Sequence, residues 1–170
     1  LCDHDYDGFS RILRDYSNFI KSKYSGPIYW AAVGEKTTKF AAENADGAIF
    51  FLKPKDQIEN HIEMINSTRK SLNKKGEFNV LSIIPTYFAD NSNQAKITLA
   101  SYIGANEFYS ISLAKAGFKD EVEKIKDAFQ NIGLIEAAGI VSDKLLGELT
   151  ISGSVEECSK KISNMAKDTK

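Results

Sequence analysis

At 170 residues, with 42% hydrophobic and 26% charged side chains, the chain has the make-up of about one globular domain and not of a disordered segment. Its 22 basic residues are scattered among 23 acidic ones for a net charge of −1, which excludes the electrostatic footprint of a nucleic-acid binder. Nothing approaches the ~18 consecutive apolar residues of a membrane span, and the two cysteines, Cys2 and Cys158, lie at opposite ends, so a disulfide framework is excluded and a reducing cytoplasm is expected.

The chain opens on Leu1 and drops straight into acidic, aromatic sequence, from which we expect part of the protein to lie outside it. Residues 6–22 place Phe9, Ile12, Leu13, Tyr16, Phe19 and Ile20 on a helical stripe, broken at Ser25-Gly26-Pro27. The nearly unbroken apolar run Ile28 to Val33 reads as a strand covered on both faces. Residues 36–45 follow as a helix with Phe40, Ala41 and Ala45 inward, Asp46-Gly47 as a turn, and Ala48 to Leu52 as a second buried strand.

Pro54 starts a long helix to about Asn73, with Ile58, Ile62, Ile65 and Leu72 on one face, stopped by Lys74-Lys75-Gly76. Phe78 to Ile84 reads as the third strand, ended by Pro85. Asp90 to Asn93 is polar loop and cap chemistry, short helices are expected over 94–103, 106–116 and 120–131, and a helical turn over 142–147. Leu149 to Ile151 is short and apolar and reads as a strand or an extended entry. Ser154 and Glu157 form a capping box for a last helix whose Val155, Cys158, Ile162 and Met165 are expected to face inward. The alternation of strands and helices argues for a parallel sheet with right-handed crossovers.

A strand that feeds a helix through Gly34 presents backbone N–H groups at the helix start, where an anion can be held. Gly34, Glu35, Lys36 and Thr37 are therefore the phosphate-cradle candidates, with Lys36 or Lys39 adding charge; a plain connecting loop is the alternative. Asp46 reads as a turn residue. His4, among Asp3, Asp5 and Asp7, reads as part of a solvated terminus in preference to a metal site, and His61 as a boundary residue beside the apolar face of its helix. No nucleophile–base arrangement is visible, so no catalytic residue is assigned, and no metal is expected. Rossmann and P-loop readings find no motif. Tyr102, Phe108 and Tyr109 read as packing, and Trp30 could face either side of its sheet.

PIYWAAVGEKTTKFAAENADGAIFF resembles the luciferase-like monooxygenase family, whose usual form is P-I/V-Y-x-A-A-x-G-P-K/R, a helix, then A-D-G and an apolar run. LASYIGANEFYSISLAKAGFKDEVEKIKDAF looks like that family's helical segment after the seventh barrel strand. VSDKLLGELTISGSVEECSKKI looks like its D-x-x-V/L stretch ending in G-S/T-P-E-E. The resemblance covers roughly residues 27–165. Glu35 and Val155 stand where the family usually has Pro, and a Glu beside a phosphate repels it unless its side chain turns outward.

The resemblance implies an α/β fold: a partial (β/α)8 TIM barrel, its C-terminal portion, with a helical insertion after the third visible strand. It implies one domain over 1–170, with a helical lead-in at 1–25, a βαβαβ core at 27–84, a helical excursion at 91–147 and a final capped helix at 148–166. It further implies a flavin- or F420-dependent oxidoreductase performing hydride transfer on a small-molecule substrate, with FMN or coenzyme F420 as cofactor. Ala31, Ala32 and Val33 would let a planar ring lie close, and Gly34, Glu35, Lys36 and Thr37 would hold its phosphate. We expect a cytoplasmic homodimer without nucleic-acid or membrane partners, and no activity from the isolated chain. The competing expectation is a non-catalytic flavin-binding or degenerate half-barrel protein that works by dimerisation, since open parallel edges seek partners.

Overall fold

Branched and aromatic residues carry the chain into β1 (Tyr29–Ala31) directly after Pro27. The computed structural model describes residues 6–88 and 92–168; the expectations for Cys2 and His4 lie outside these. The chain divides into two compact units, Leu1–Phe50 with Glu59–Leu81 and Phe51–Ile58 with Ser82–Lys170.

The first unit carries α1 (Tyr6–Lys23), β1, α2 (Glu35–Asn44) and most of β2 (Gly47–Phe51), α3 (Lys55–Ser71) and β3 (Asn79–Ile83). The strands form one sheet in the order β1-β2-β3. β1 and β2 are parallel, with Tyr29 opposite Gly47 and Ala31 opposite Ile49, as the alternating strand–helix pattern requires. Gly47 is needed for close approach: a Cβ there would stand 2.3 Å from the Tyr29 ring and 2.6 Å from the Asn79 carbonyl oxygen. Phe40, Ala41, Ala45, Ala48 and Phe50 are buried, as the sequence pattern predicts, and so is Ala42.

The strand reading of Ile28 to Val33 is too long, because the chain turns out of the sheet toward α2. The apolar stripe of α1 is only partly covered. Ile12, Tyr16 and Phe19 are 64%, 56% and 59% exposed, while Ser17 is buried. Periodicity establishes that a helix forms, but the side that is covered depends on what packs there. Here α1 meets α2.

After β3 the chain runs in the second unit, first through β4 (Thr86–Phe88), a strand that the sequence reading missed behind Pro85. The helical excursion therefore follows a fourth strand, not the third. It comprises α4 (Ser92–Ala105), α5 (Glu107–Leu113), a widened turn at Ala114–Phe118, α6 (Lys119–Asn131), α7 (Leu134–Ile140) and α8 (Asp143–Leu149). The seven-residue α7 is also new; it is too short to show a period. β5 (Ile151–Gly153) pairs parallel with β4, Thr86 opposite Ile151, and α9 (Val155–Asp168) closes the chain.

α4, α6 and α7 pack on one another around Leu99, Ile103, Leu113, Val122, Ile125 and Leu145, all essentially inaccessible. The Ser154–Glu157 capping box forms in both directions: Ser154 N–H donates to Glu157 Oε2 at 2.8 Å and Glu157 N–H to Ser154 Oγ at 3.2 Å. Of the four α9 residues expected inside, only Cys158 is buried; Val155, Ile162 and Met165 are exposed. No helix among the described residues is long and apolar enough to cross a membrane.

Candidate functional site

The C-terminal end of β1 and the start of α2 form one continuous turn. Ala32 N–H donates to the Ile49 carbonyl at 2.9 Å, so pairing with β2 runs one residue past β1 and the chain leaves the sheet at Val33. Gly34 is the residue before the helix, extended at φ −121° and ψ 178°. Its carbonyl accepts the first helical bond, from Thr38 N–H at 3.0 Å. That backbone conformation suits any residue, so the turn does not demand glycine. What the glycine leaves is space, since nothing stands within 4 Å of where its Cβ would be.

Thr37 caps the turn from within. Its hydroxyl accepts the N–H groups of Val33 and Gly34, each at 3.2 Å, and donates to the Gly34 carbonyl at 3.0 Å. Thr37 so does at the third helical position what Glu or Gln does in a capping box. The first-turn amides of Glu35, Lys36 and Thr37 lie at the start of a ten-residue helix, where an anion would meet N–H vectors that run along the axis.

The candidate residues differ in access. Ala31, Gly34, Glu35 and Lys36 are exposed, Val33 and Thr37 are half-buried, and Ala32 is in the core. A phosphate fits the turn on two counts, open space at Gly34 and a helix start. Glu35 is surface-exposed.

Behind the turn lies a buried polar pair, His61 and Thr38, of which the sequence reading placed only His61, and wrongly. His61 is 5% exposed, not a boundary residue, and its Nδ1 lies 2.6 Å from the Thr38 hydroxyl. Thr38 is fully buried, and its Oγ1 also stands 2.9 Å from the Gly34 carbonyl oxygen. Phe50 meets the imidazole edge to face at 5.5 Å. The signal was present: His61 follows Ile58 by three and precedes Ile65 by four, on the inner face of α3.

Asp46 is a structural tie between the starts of β1 and β2, as the turn reading expects. Trp30 settles on the helix side of its sheet, against Phe40 of α2 at 5.2 Å. In the second unit, Lys53 is only 6% exposed, and burial lowers its pKa from 10.5 to about 8. Its neighbour Leu52 takes a positive φ of 49°, rare for a branched side chain. Phe51, Tyr102 and Tyr109 meet edge to face at 5.1 to 5.9 Å, which bears out packing for the two tyrosines. Phe108 is exposed. Burial and Tyr102 raise the Tyr109 pKa. Among the described residues, no cluster of His, Cys, Asp and Glu could hold a metal ion.

The family model of the luciferase-like monooxygenases matches residues 3–169. A structure of coenzyme F420-dependent tetrahydromethanopterin reductase from Methanopyrus kandleri superposes with a TM-score of 0.66 at 21% identity. The match covers 84% of this chain and 42% of that one, so the chain spans less than half the length of that reductase. No curated protein sequence matches.

Proposed function

The chain belongs to the luciferase-like monooxygenase family, and from that premise we propose that it is the C-terminal portion of a (β/α)8 barrel whose whole protein is a flavin- or F420-dependent oxidoreductase. Residues 1–170 form one fragment of that barrel. The observation that carries the proposal is the β1–α2 turn, where a parallel strand delivers a helix start beside an unfilled space at Gly34. In open and closed α/β folds alike, ligands gather at the C-terminal ends of parallel strands.

In this reading the first-turn amides of Glu35, Lys36 and Thr37 hold the cofactor's phosphate, and Gly34 gives it room. The exposed Ala31 and half-buried Val33 flank the ring, with Ala32 supporting them from the core. When bound, FMN or F420 supplies a ring that accepts or releases a hydride; this chain supplies anchoring and orientation. The likeness to an F420-dependent reductase favours a redox cofactor of the flavin or deazaflavin type. The protein acts on a small molecule, in the cytoplasm and as a homodimer, without a nucleic-acid partner.

Fluorescence titration of the purified full-length protein with FMN and, separately, with F420 tests this. Saturable binding of one of them is expected. Binding of neither overturns the proposal.

A second reading, a non-catalytic half-barrel that works by dimerisation, draws on the exposed apolar side chains of edge strand β3, Leu81 at 47% and Ile83 at 55%. It requires a dimer that Leu81→Lys dissociates in light scattering and a purified protein that turns over no hydride donor.

A further inference from the structure

The Gly34 carbonyl is crowded. A carbonyl oxygen has two lone pairs, yet three donors stand within reach: Thr38 N–H at 3.0 Å, the Thr37 hydroxyl at 3.0 Å and the Thr38 hydroxyl at 2.9 Å. The Thr38 hydroxyl has one proton to give and a second, nearer acceptor, His61 Nδ1 at 2.6 Å. When Thr38 donates to His61, the imidazole carries its own proton on Nε2, and Gly34 keeps two donors for two lone pairs. When His61 carries its proton on Nδ1, Thr38 must accept it, and the Thr38 proton turns to Gly34 as a third donor. The state of a buried ring on α3 thereby sets the hydrogen bonding of the turn that opens α2.

That turn controls where its amides point. In a trans peptide the C=O and the following N–H are antiparallel, and the described chain has no cis bonds. Holding the Gly34 carbonyl back toward Thr38 aims the Glu35 N–H the opposite way, out of the helix start. We propose that His61 is a positioning residue for the anion-binding turn, acting through the Thr38 hydroxyl on the Gly34–Glu35 peptide. The proposal rests on the cofactor reading of that turn. Phe50, packed on the imidazole edge, limits ring rotation and keeps Nδ1 facing Thr38.

The test compares full-length wild type with Thr38→Val and His61→Leu, which remove the link, and with Thr38→Ser and His61→Asn, which retain a polar atom near each end of it. Affinity is measured by fluorescence titration for FMN or F420, whichever wild type binds, and for its phosphate-free analogue, riboflavin or the bare deazaflavin. Thr38→Val, which withdraws the hydroxyl from Gly34, is expected to weaken the phosphorylated ligand by up to about tenfold, the order of one hydrogen bond, and His61→Leu, which leaves the Thr38 proton to Gly34 alone, to tighten it by about threefold. The phosphate-free ligand should be bound as by wild type, and the two conservative variants should stay within about twofold of it. A merely structural role would weaken both ligands together. Should His61→Leu fail to fold, Thr38→Val carries the comparison, because it exchanges a hydroxyl for a methyl at the same shape. Unchanged affinity in the folded variants, or equal loss of both ligands, overturns the role of His61 and leaves the cofactor reading standing. Failure of wild type to bind either cofactor overturns both.

Discussion

Asp46 and Ile28 are joined twice. The Asp46 carboxylate accepts the Ile28 N–H at 2.9 Å, while Asp46 N–H donates to the Ile28 carbonyl at 2.8 Å. The Asp46 carbonyl also accepts Asn79 N–H at 3.1 Å, so one residue ties the starts of all three strands of the sheet. We expect Asp46→Ala to lower stability by about 1 kcal/mol, since the site is solvent-exposed, and Asp46→Asn to lower it less because the amide oxygen still accepts. Urea denaturation reads the difference.

Gly34→Ala separates room from fold. The extended backbone accepts alanine, a less flexible unfolded chain adds stability, and alanine is a poorer helix cap, so the net change should stay within about 1 kcal/mol. The methyl occupies the open space beside the turn. Cofactor affinity should fall while the melting temperature holds, measured on one preparation by titration and calorimetry. Unchanged affinity would place the phosphate elsewhere.

Lys53 gives stability a pH dependence with a defined sign. Its folded pKa is about 8 against 10.5 ordinarily, lowered by burial. Below pH 8 the ammonium is charged in both states and its burial opposes folding. Between pH 8 and 10.5 the unfolded chain binds more protons here than the folded one, so stability rises with pH across that window. Replacing it, Lys53→Met, should remove this rise. Denaturation curves at several pH values, wild type minus variant, give the slope; a flat difference contradicts it.

The start of α9 is held by its reciprocal cap. Ser154→Ala is expected to cost about 1 kcal/mol, and Glu157→Ala a comparable amount. Each change removes a different bond, the Ser154 hydroxyl that accepts Glu157 N–H or the Glu157 carboxylate that accepts the N–H of residue 154, so the double variant should cost close to the sum, and any departure from it measures the coupling of the two. Thermal unfolding of the four proteins closes the cycle.

Much of the fold was legible because it rests on local rules. Apolar runs with Gly and Pro punctuation gave β1, β2, β3 and most of the helices. Asp46-Gly47 marked a turn whose close contacts exclude any side chain at Gly47. Ser154 and Glu157 announced a cap through spacing alone. The elements that escaped, β4 and α7, are three and seven residues long, and a pattern that short carries no period to detect.

The candidate site divides along the same line. A glycine between an apolar run and a helix, followed by threonines, was readable in one dimension, because a helix start is created by neighbours in sequence, although β1 is half-buried to exposed where the run predicts cover on both faces. Which face of α1 is covered, that Lys53 lies out of water, and that His61 reaches Thr38 across 23 positions were not. Those facts depend on which surfaces the chain brings together. Burial and long-range hydrogen bonds belong to pairs of elements, whereas periodicity describes one element at a time.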